Sequence, residues 1–385
     1  MEQSTVRKTF KHKLMSTPTQ ERALGRTLGL CRWLYNTALE QRITAWQRCR
    51  ISLSRYQQAA ELKDIRAAFP EYAAIHSHIL QDVLARLDKT YQAFFRRVKA
   101  GEKAGFPRYQ ARTRWHSFTY IEYGNGATLD NGFLVLSKIG RIAVRWSRPL
   151  EGTPKTVTIS KEADGWYVCF SCAYVPVQPL PPTGQETGID LGLEAFATLS
   201  DGTRIFSPGW YRKAERALKT AQRRVSRRQR GSHRRRKAVT LLAKAHQKVR
   251  RQRQDFHHKT ALALVRANDT IYHEDLQVAN MVRNHHLAKS IQDAGWAAFL
   301  STLTYKAACA GRRVIAVNPA FTSQTCSGCG VLVQKGLSVR WHACPECGTS
   351  LHRDQNAARN IEWLGQSLRG GVALAASENR ESMGL

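Results

Sequence analysis

The sequence contains few acidic residues, few cysteines and no long apolar run, and each shortage excludes a class of protein. No window reaches the ~18 uncharged apolar residues that a membrane-spanning helix needs. The first 15 residues are basic but lack the apolar segment of a secretory signal. Nine cysteines among 385 residues are too sparse for a disulfide-stapled secreted domain. We therefore expect an intracellular chain with no membrane partner.

Basic residues outnumber acidic residues about two to one. Lys and Arg total 60 against 29 Asp and Glu, which gives a formal net charge of +31. An imbalance of this size indicates a polyanionic partner, with nucleic acid the first candidate and an anionic membrane the second. A small neutral ligand alone does not explain the charge.

More than half of this charge lies in one segment. Between Arg212 and Arg253, 13 Arg and 5 Lys accompany a single acid, Glu215. A run of mixed sign is usually a solvated face, but a run of one sign repels itself unless phosphates neutralise it. Because Gly231 divides the segment, we predict a basic hairpin of two helices over residues 211–258. The predicted nucleic-acid-binding residues in it are Arg223, Arg224, Arg227, Arg228, Arg234, Arg235, Arg236 and Lys237.

The spacing of apolar residues changes along the chain and indicates an α/β multi-domain protein. Residues 15–106 repeat apolar side chains at helical spacing, whereas residues 115–177 alternate and contain hairpin turns. Four prolines in residues 176–183 predict a stiff connector at a domain boundary. Short buried strands and helices follow, including one helix predicted over residues 291–310. Residues 365–385 lack periodicity, and we expect them to be disordered.

Two cysteine pairs predict a metal site. Cys326 and Cys329 are followed, after fourteen residues, by Cys344 and Cys347. Two such pairs place four thiolates around one Zn²⁺ at about 2.3 Å, in a zinc ribbon. Because four thiolates leave no position for water, the predicted ion is structural.

Three carboxylates form the second candidate site. Asp190 lies within a buried strand, Glu274 ends another strand, and Asp354 begins a helix. An ionised carboxylate on a buried strand is costly unless a cation meets it. A ribonuclease-H-like sheet brings carboxylates from such positions together to hold two Mg²⁺ for phosphodiester hydrolysis.

Each of these residues also has a simpler explanation when taken alone. Asp354 suits a helix N-cap, and Glu274 suits a salt bridge. The segment Gly188 to Gly192 also resembles the phosphate loop of actin-like ATPases, although a second glycine-rich loop is not found in the sequence. Only the combination with the basic hairpin and the cysteine pairs favours a nuclease.

At this point the chain resembles the TnpB family, transposon-encoded relatives of the type V CRISPR nucleases. The resemblance covers residues 6–364 and is most specific over residues 187–361. The motifs that carry it are Gly188-Ile-Asp-Leu-Gly-Leu193, Ser200-Asp-Gly202, Glu274-Asp-Leu276, Ile291-Gln-Asp-Ala-Gly-Trp296, Ser323-Gln-Thr-Cys-Ser-Gly-Cys-Gly330 and Arg353-Asp-Gln-Asn-Ala-Ala-Arg-Asn-Ile361.

The resemblance implies a domain order. It begins with a wedge-like β module, and a helical recognition module is inserted into that. A RuvC-like (ribonuclease-H-like) nuclease domain with an inserted zinc ribbon follows. The implied segments are 1–14 and 107–180 for the β module, 15–106 for the helical module, 184–320 and 350–364 for the nuclease domain, 321–349 for the ribbon and 365–385 for the tail.

The resemblance also implies a function, an Mg²⁺-dependent DNA endonuclease guided by RNA from the transposon end. It places the RuvC triad on Asp190, Glu274 and Asp354, and their presence argues against a nuclease-inactive nucleic-acid-binding regulator, which is the alternative. His352 departs from the family, which commonly has Asp there. We expect a monomer in a prokaryotic cytoplasm, associated with the nucleoid, that binds double-stranded target DNA. By position, the resemblance also suggests which residues contact the short DNA motif beside the target, namely Tyr56, His78, Gln81, Thr119 and Tyr120.

Overall fold

A computed structural model describes residues 4–336 and 339–381, with side chains described as far as residue 369. The chain divides into two compact units, Met1–Pro176 and Val177–Leu385. Among the described residues, no helix is both long and apolar enough to cross a membrane.

Within its described residues, the first unit contains a seven-stranded antiparallel sheet and five helices. The strands lie in the order β2-β6-β7-β1-β5-β4-β3. They are β1 (Thr5–Met15), β2 (Ser117–Tyr120), β3 (Ala127–Asp130), β4 (Phe133–Leu136), β5 (Gly140–Arg145), β6 (Thr153–Glu162) and β7 (Gly165–Pro176). The helices are α1 (Pro18–Cys49), α2 (Arg55–Ala60), α3 (Leu62–Ala68), α4 (Pro70–Ala73) and α5 (Ser77–Lys99).

The helices and the sheet of the first unit share one hydrophobic core, although the sequence suggested two separate modules. Phe10 on β1, Leu80 on α5 and Phe118 on β2 belong to the same buried cluster. Arg86 on α5 donates to the backbone carbonyl of Ser117 at 2.9 Å. The apolar stripe of α5 therefore packs on the sheet rather than on other helices alone, a pairing that helical periodicity does not specify.

The sheet of the second unit has five strands within the described residues, in the order β10-β9-β8-β11-β12. Strands β8, β11 and β12 are parallel, whereas β9 and β10 extend the sheet antiparallel from β8. Their bounds are β8 (Glu186–Asp190), β9 (Ala197–Leu199), β10 (Arg204–Ile205), β11 (Thr270–Glu274) and β12 (Arg313–Val317), and a separate hairpin is formed by β13 (Trp341–Ala343) and β14 (Ser350–His352). The helices are α6 (Trp210–Ser226), α7 (His233–Ala267), α8 (Val278–Met281), α9 (His285–Ala294), α10 (Trp296–Cys309) and α11 (Arg353–Glu381).

The segment predicted to be a basic hairpin forms the helix pair α6 and α7, which pack against each other, and α7 continues nine residues beyond the predicted end at residue 258. Ser232 caps α7 by accepting a hydrogen bond from the backbone N–H of Arg235 at 3.1 Å. Two predictions for the second unit, one of a single helix and one of a disordered tail, were wrong. Gly295, with φ of 68°, separates α9 from α10 where one helix was predicted.

The second correction concerns the end of the chain. Helix α11 continues to Glu381, so residues 365–381 are helical rather than disordered, and residues 382–385 of the predicted tail lie outside the described residues. Gly365 of α11 lies so close to β11 that a Cβ would meet the Tyr272 ring at 1.9 Å. Arg369, one turn further, pairs with Glu186 of β8. Contacts with the sheet therefore stabilise α11 beyond the residues whose apolar side chains recur at helical spacing.

The backbones of α11 and the sheet approach each other closely at Gly188. A Cβ at this position would lie 2.0 Å from the carbonyl oxygen of Ala358 and 2.7 Å from the backbone nitrogen of Glu362. Both are backbone atoms of α11, which cannot move aside as a flexible side chain could. The helix can therefore rest on β8 only because residue 188 is glycine.

We predict that Gly188→Ala destabilises the protein by about 1–3 kcal/mol, the usual cost of inserting an atom into a filled interior. Differential scanning fluorimetry measures the change. Gly29→Ala is the matched control, since Gly29 lies inside α1 and a Cβ added there would have no atom within 4 Å. The control should raise stability by about 0.5–1 kcal/mol. Equal melting temperatures for Gly188→Ala and wild type would contradict the packing.

Candidate metal centre and nucleic-acid surface

Two of the three predicted carboxylates lie at the carboxyl ends of adjacent parallel strands. Asp190 ends β8 and Glu274 ends β11, and the register pairs Ile189 with His273 immediately before them. Side chains one position beyond a register pair emerge side by side at the edge of the sheet. Strand pairing therefore brings Asp190 and Glu274 together across 84 positions of sequence.

The third carboxylate comes from the first turn of α11. Asp354 is only 8% exposed, and its Oδ2 lies 3.8 Å from the place that a Cβ of Gly192 would take, just beyond Asp190. The backbone N–H of Asp354 donates to Nδ1 of His352 at 3.2 Å, which satisfies one free donor at the start of the helix. The structure thus brings all three predicted residues to one edge of the sheet.

The electrostatics of this edge favour a cation. Burial raises the pKa of Asp190 well above its ordinary value, and the nearby carboxylates of Glu274 and Asp354 raise it further. Burial also raises the pKa of Glu274, against the opposing effect of a hydrogen bond from the Thr322 hydroxyl. A cation between the carboxylates would relieve both effects, because it favours their ionised forms.

Oxygen ligands of this kind suit a hard divalent ion such as Mg²⁺. In the described part of the chain, however, the oxygens of Asp190, Glu274 and Asp354 do not all lie within 4.8 Å of one another. Asp354 instead forms such a group with Glu194 and His352. The donor set fits the ion, and the carboxylates are near enough to interact electrostatically.

Glu194 is a residue that the sequence analysis missed. It accepts from Arg204 at 2.6 Å and faces the Arg340 Nε at 3.7 Å. No sequence signal marks it, because it lies in the loop after β8 and reaches Asp354 only through the fold. Thr322, the donor to Glu274, was missed for the same reason.

The four predicted cysteines form a single cluster, and their sulfur atoms all lie within 4.8 Å of one another. The sulfurs of Cys326 and Cys347 are 3.6 Å apart, as are those of Cys329 and Cys344. Four thiolates at about 2.3 Å from a tetrahedral ion would have sulfurs about 3.8 Å apart. The cluster therefore has the dimensions of a four-thiolate metal site.

Two buried asparagines of α11 attach this cluster to the helix that carries Asp354. The Asn356 side chain accepts from the backbone N–H of Ser327 at 2.9 Å and donates to the carbonyl of Thr325 at 2.7 Å. Asn360 donates to the same carbonyl at 2.7 Å and to that of Thr322 at 2.8 Å. The first cysteine pair and the start of α11 are therefore held together by direct hydrogen bonds.

The predicted nucleic-acid-binding residues of the hairpin fall into two groups. Arg235 is half-buried and donates to the carbonyls of Val225 and Arg228 at 2.7 and 2.8 Å, so its guanidinium caps the end of α6. Arg228 is also half-buried. The remaining predicted residues are exposed, namely Arg223, Arg224, Arg227, Arg234, Arg236 and Lys237.

The residues suggested as motif readers differ in accessibility. Tyr56 is 76% exposed and Gln81 is also exposed, while Nε2 of the half-buried His78 lies 3.4 Å from the Asn125 amide. The Thr119 hydroxyl accepts from Arg86 at 2.8 Å and lies 3.0 Å from that of Thr158. Tyr120 is fully buried, so its suggested contact with a base is wrong.

Comparison with known families gives three matches along the chain. Residues 162–285 match a family described as a probable transposase. Residues 296–361 match the Cas12f1-like TNB domain, and residues 1–50 match a family described as a helix-turn-helix domain. The described part of that last segment consists of β1 and the single helix α1 up to Cys49.

Relatives match over most of the chain. A putative RNA-guided DNA endonuclease of Streptomyces pristinaespiralis is 38% identical over 92% of this chain and 89% of its own length. The putative RNA-guided DNA endonuclease InsQ of Escherichia coli is 30% identical over 93% of this chain and 92% of its own. In fold, the chain is similar to Cas12f1 in a structure with sgRNA and target DNA, with a TM-score of 0.59 at 13% identity, covering 93% of this chain and 99% of the other.

The charge repulsion around Asp190 predicts that Asp190→Asn raises the melting temperature of metal-free protein. A gain of about 1 kcal/mol corresponds to roughly 2–4 °C for a unit of this size. Because folding raises the pKa of Asp190, the wild-type protein loses stability as pH rises above about 4, the ordinary value of an Asp, and the Asn variant does not. The difference between the two melting temperatures should therefore grow as pH is raised from that value. Added Mg²⁺ should stabilise wild type more than the variant.

The measurement is scanning fluorimetry in EDTA and in Mg²⁺ at each pH. Asp255→Asn is the control, since Asp255 is an exposed residue of α7 that pairs with Lys259. A lower melting temperature of Asp190→Asn in EDTA, with an unchanged response to Mg²⁺, would show that the three carboxylates do not form a cation site.

Proposed function

Since the chain belongs to the TnpB family, we propose that it is an RNA-guided DNA endonuclease that hydrolyses phosphodiester bonds with Asp190, Glu274 and Asp354. The observation that carries the proposal is the position of these three carboxylates at one sheet edge, at the ends of β8 and β11 and in the first turn of α11. Carboxylates that are buried and repel one another in this way are costly unless a cation meets them. The antiparallel β10-β9-β8 and parallel β11 and β12 support a RuvC-like, ribonuclease-H-like domain.

The proposed metal ligands are the same three carboxylates, which would hold two Mg²⁺. Held there, Mg²⁺ would supply an activated water and would stabilise the leaving oxygen. The remaining work is done by side chains around the ligands. The Thr322 hydroxyl fixes one oxygen of Glu274, and Nδ1 of His352 holds the first turn of α11 through the N–H of Asp354. His352 thereby has a positioning role at a place where the family commonly has Asp.

We propose that the cluster of Cys326, Cys329, Cys344 and Cys347 binds one structural Zn²⁺. Four thiolates favour this ion and leave no open position for water. The hydrogen bonds of Asn356 and Asn360 join the ribbon to the start of α11, so an ordered ribbon would hold that turn in place. The ion would thus support the position of Asp354 without taking part in the reaction.

The proposed division of labour separates sequence recognition from backbone binding. A guide RNA from the transposon end would read the target by base pairing, while exposed Arg and Lys side chains hold the phosphates. Tyr56 and Gln81 are accessible enough to contact a short motif beside the target, and His78 and Thr119 have the internal partners described above. The proposed setting is the prokaryotic cytoplasm, with the protein acting on nucleoid DNA as a monomer.

The decisive experiment purifies the chain with its co-purifying RNA and tests Mg²⁺-dependent cutting of a plasmid library with randomised flanking sequence. The plasmid target matches the guide segment of that RNA. Wild type should cut both strands beside one short motif. Asp190→Ala should reduce cutting by about 10²- to 10³-fold or more, the effect of losing a group that stabilises the transition state, with RNA binding unchanged. Asp255→Asn is the control and should cut normally.

Each result has a distinct meaning. RNA-guided DNA binding without cutting by wild type would favour the nuclease-inactive regulator instead. Equal cutting by Asp190→Ala and wild type would remove Asp190 from the catalytic site.

The six exposed basic residues of the hairpin predict the salt dependence of binding. Their replacement by Gln should reduce the slope of log K against log salt by about five, since each phosphate contact contributes ~0.9. The six are Arg223, Arg224, Arg227, Arg234, Arg236 and Lys237. Arg235 is kept because it caps α6. A double Gln variant of the ion-paired Lys219 and Lys259 is the control and should change the slope little. An unchanged slope in the sixfold variant would locate phosphate binding elsewhere.

A further inference from the structure

An exposed tryptophan lies beside the carboxylate site. Trp341 on β13 is 56% exposed and is paired directly with His352 on β14. Side chains of directly paired residues project from the same face of a hairpin, about 5 Å apart at Cβ. The two rings meet edge to face, with centroids 6.4 Å apart.

His352 connects this indole to the candidate metal ligands. Its Nδ1 lies 3.8 Å from Oδ2 of Asp354, and the two residues share a cluster with Glu194. The residue before the tryptophan, Arg340, faces Glu194 at 3.7 Å. Trp341 is therefore separated from the acidic site by a single side chain.

The indole is held in place although it is exposed. Its Nε1 donates to the Ser350 hydroxyl at 2.7 Å, across the same hairpin. The polar end of the ring is thereby satisfied, while more than half of the residue remains open to solvent. A large aromatic surface held in water lacks the stabilisation that burial would give, unless a ligand covers it.

The surroundings indicate what kind of ligand covers it. Arg340 precedes β13 and Arg353 follows β14, so positive charges lie at both ends of the hairpin, where they would attract the phosphates of a nucleic-acid strand, although Arg340 also faces Glu194. A flat, fixed aromatic ring beside basic residues is the usual platform for an unpaired base. A paired base within a duplex has both faces covered and offers no surface to it.

We propose that Trp341 is a substrate-binding residue that stacks on an unpaired base of the DNA strand whose phosphate lies at Asp190, Glu274 and Asp354. This inference rests on the proposed nuclease function and adds to it how the strand is aligned. The indole would hold one base at a fixed position, so that a neighbouring phosphate lies at the carboxylates. It implies that the substrate at the site is single-stranded.

The test uses the full chain with its co-purified RNA and target DNA that contains one 2-aminopurine, moved along each strand in turn. The Asp190→Ala background keeps the DNA intact during the measurement. With Trp341 present, stacking should quench the fluorescence of the probe at one or two positions. Trp341→Ala should restore the fluorescence at those positions, and Trp341→Phe should retain part of the quenching.

Cleavage in the otherwise unaltered protein supplies the second readout. Loss of one stacked base, worth about 1–3 kcal/mol, corresponds to roughly a 5- to 150-fold change. Trp341→Ala should therefore raise the half-saturating concentration of a single-stranded substrate by about tenfold or more, with RNA binding unchanged. Trp363→Ala is the matched control, because Trp363 is 65% exposed and lies nine residues beyond Asp354, on the opposite side of α11.

The outcomes separate this inference from the function on which it rests. If wild type does not cut DNA under any guide, the proposed function fails. If wild type cuts, and Trp341→Ala matches Trp363→Ala in both fluorescence and cleavage, the stacking role alone is overturned. Equal melting temperature and metal content of the two variants excludes misfolding as the cause of a difference.

Discussion

The approach of α11 to β8 at Gly188 is the constraint on which the second unit depends. Any side chain at this position would occupy the place of the Ala358 carbonyl. Because the helix rests directly on the strand, its first turn reaches the end of β8, where Asp190 lies. The same helix holds the cysteine cluster through Asn356 and Asn360. One backbone contact therefore fixes both the third carboxylate and the ribbon beside it.

The second unit contains two groups of like charges, one positive and one negative, and they lie in separate places. The exposed arginines of α6 and α7 repel one another and would be stabilised by phosphates. The carboxylates of Asp190 and Glu274 are buried enough that their pKa values rise, and a cation would stabilise their ionised forms. A nucleic acid bound with divalent ions meets both needs at once. The chain's charge pattern therefore suits a ligand that brings phosphate and metal together.

Features encoded by short segments were predictable from the sequence. The spacing of the cysteine pairs predicted the cluster, because each pair forms its own turn. The charge run with Gly231 at its centre predicted the α6 and α7 hairpin. Asp190 and Glu274 were predictable as neighbours because each ends a recognisable strand, and parallel strands end at the same edge.

Features that depend on packing between distant segments were not predictable. Glu194 and Thr322 reach the acidic site only through loop conformations that no periodic pattern reports. The Arg86 hydrogen bond that occupies the Thr119 hydroxyl joins a helix to a strand, and neither segment alone indicates it. The sequence does not distinguish Arg235 from the other basic residues of the hairpin, because its hydrogen bond to the end of α6 forms only in the folded protein. In each case the partner, rather than the residue itself, determines the role.

The position of Asp354 shows how the ribbon and the acidic site limit each other. Its carboxylate lies within 4.8 Å of the ligand atoms of Glu194 and of His352, the last residue of β14. Its charge also raises the pKa of Asp190. The first turn of α11 is fixed on one side by His352 and on the other by Asn356, whose partners lie between the first two cysteines and just before them. Order in the ribbon is therefore a condition for the geometry of the carboxylates, although the ribbon supplies none of them.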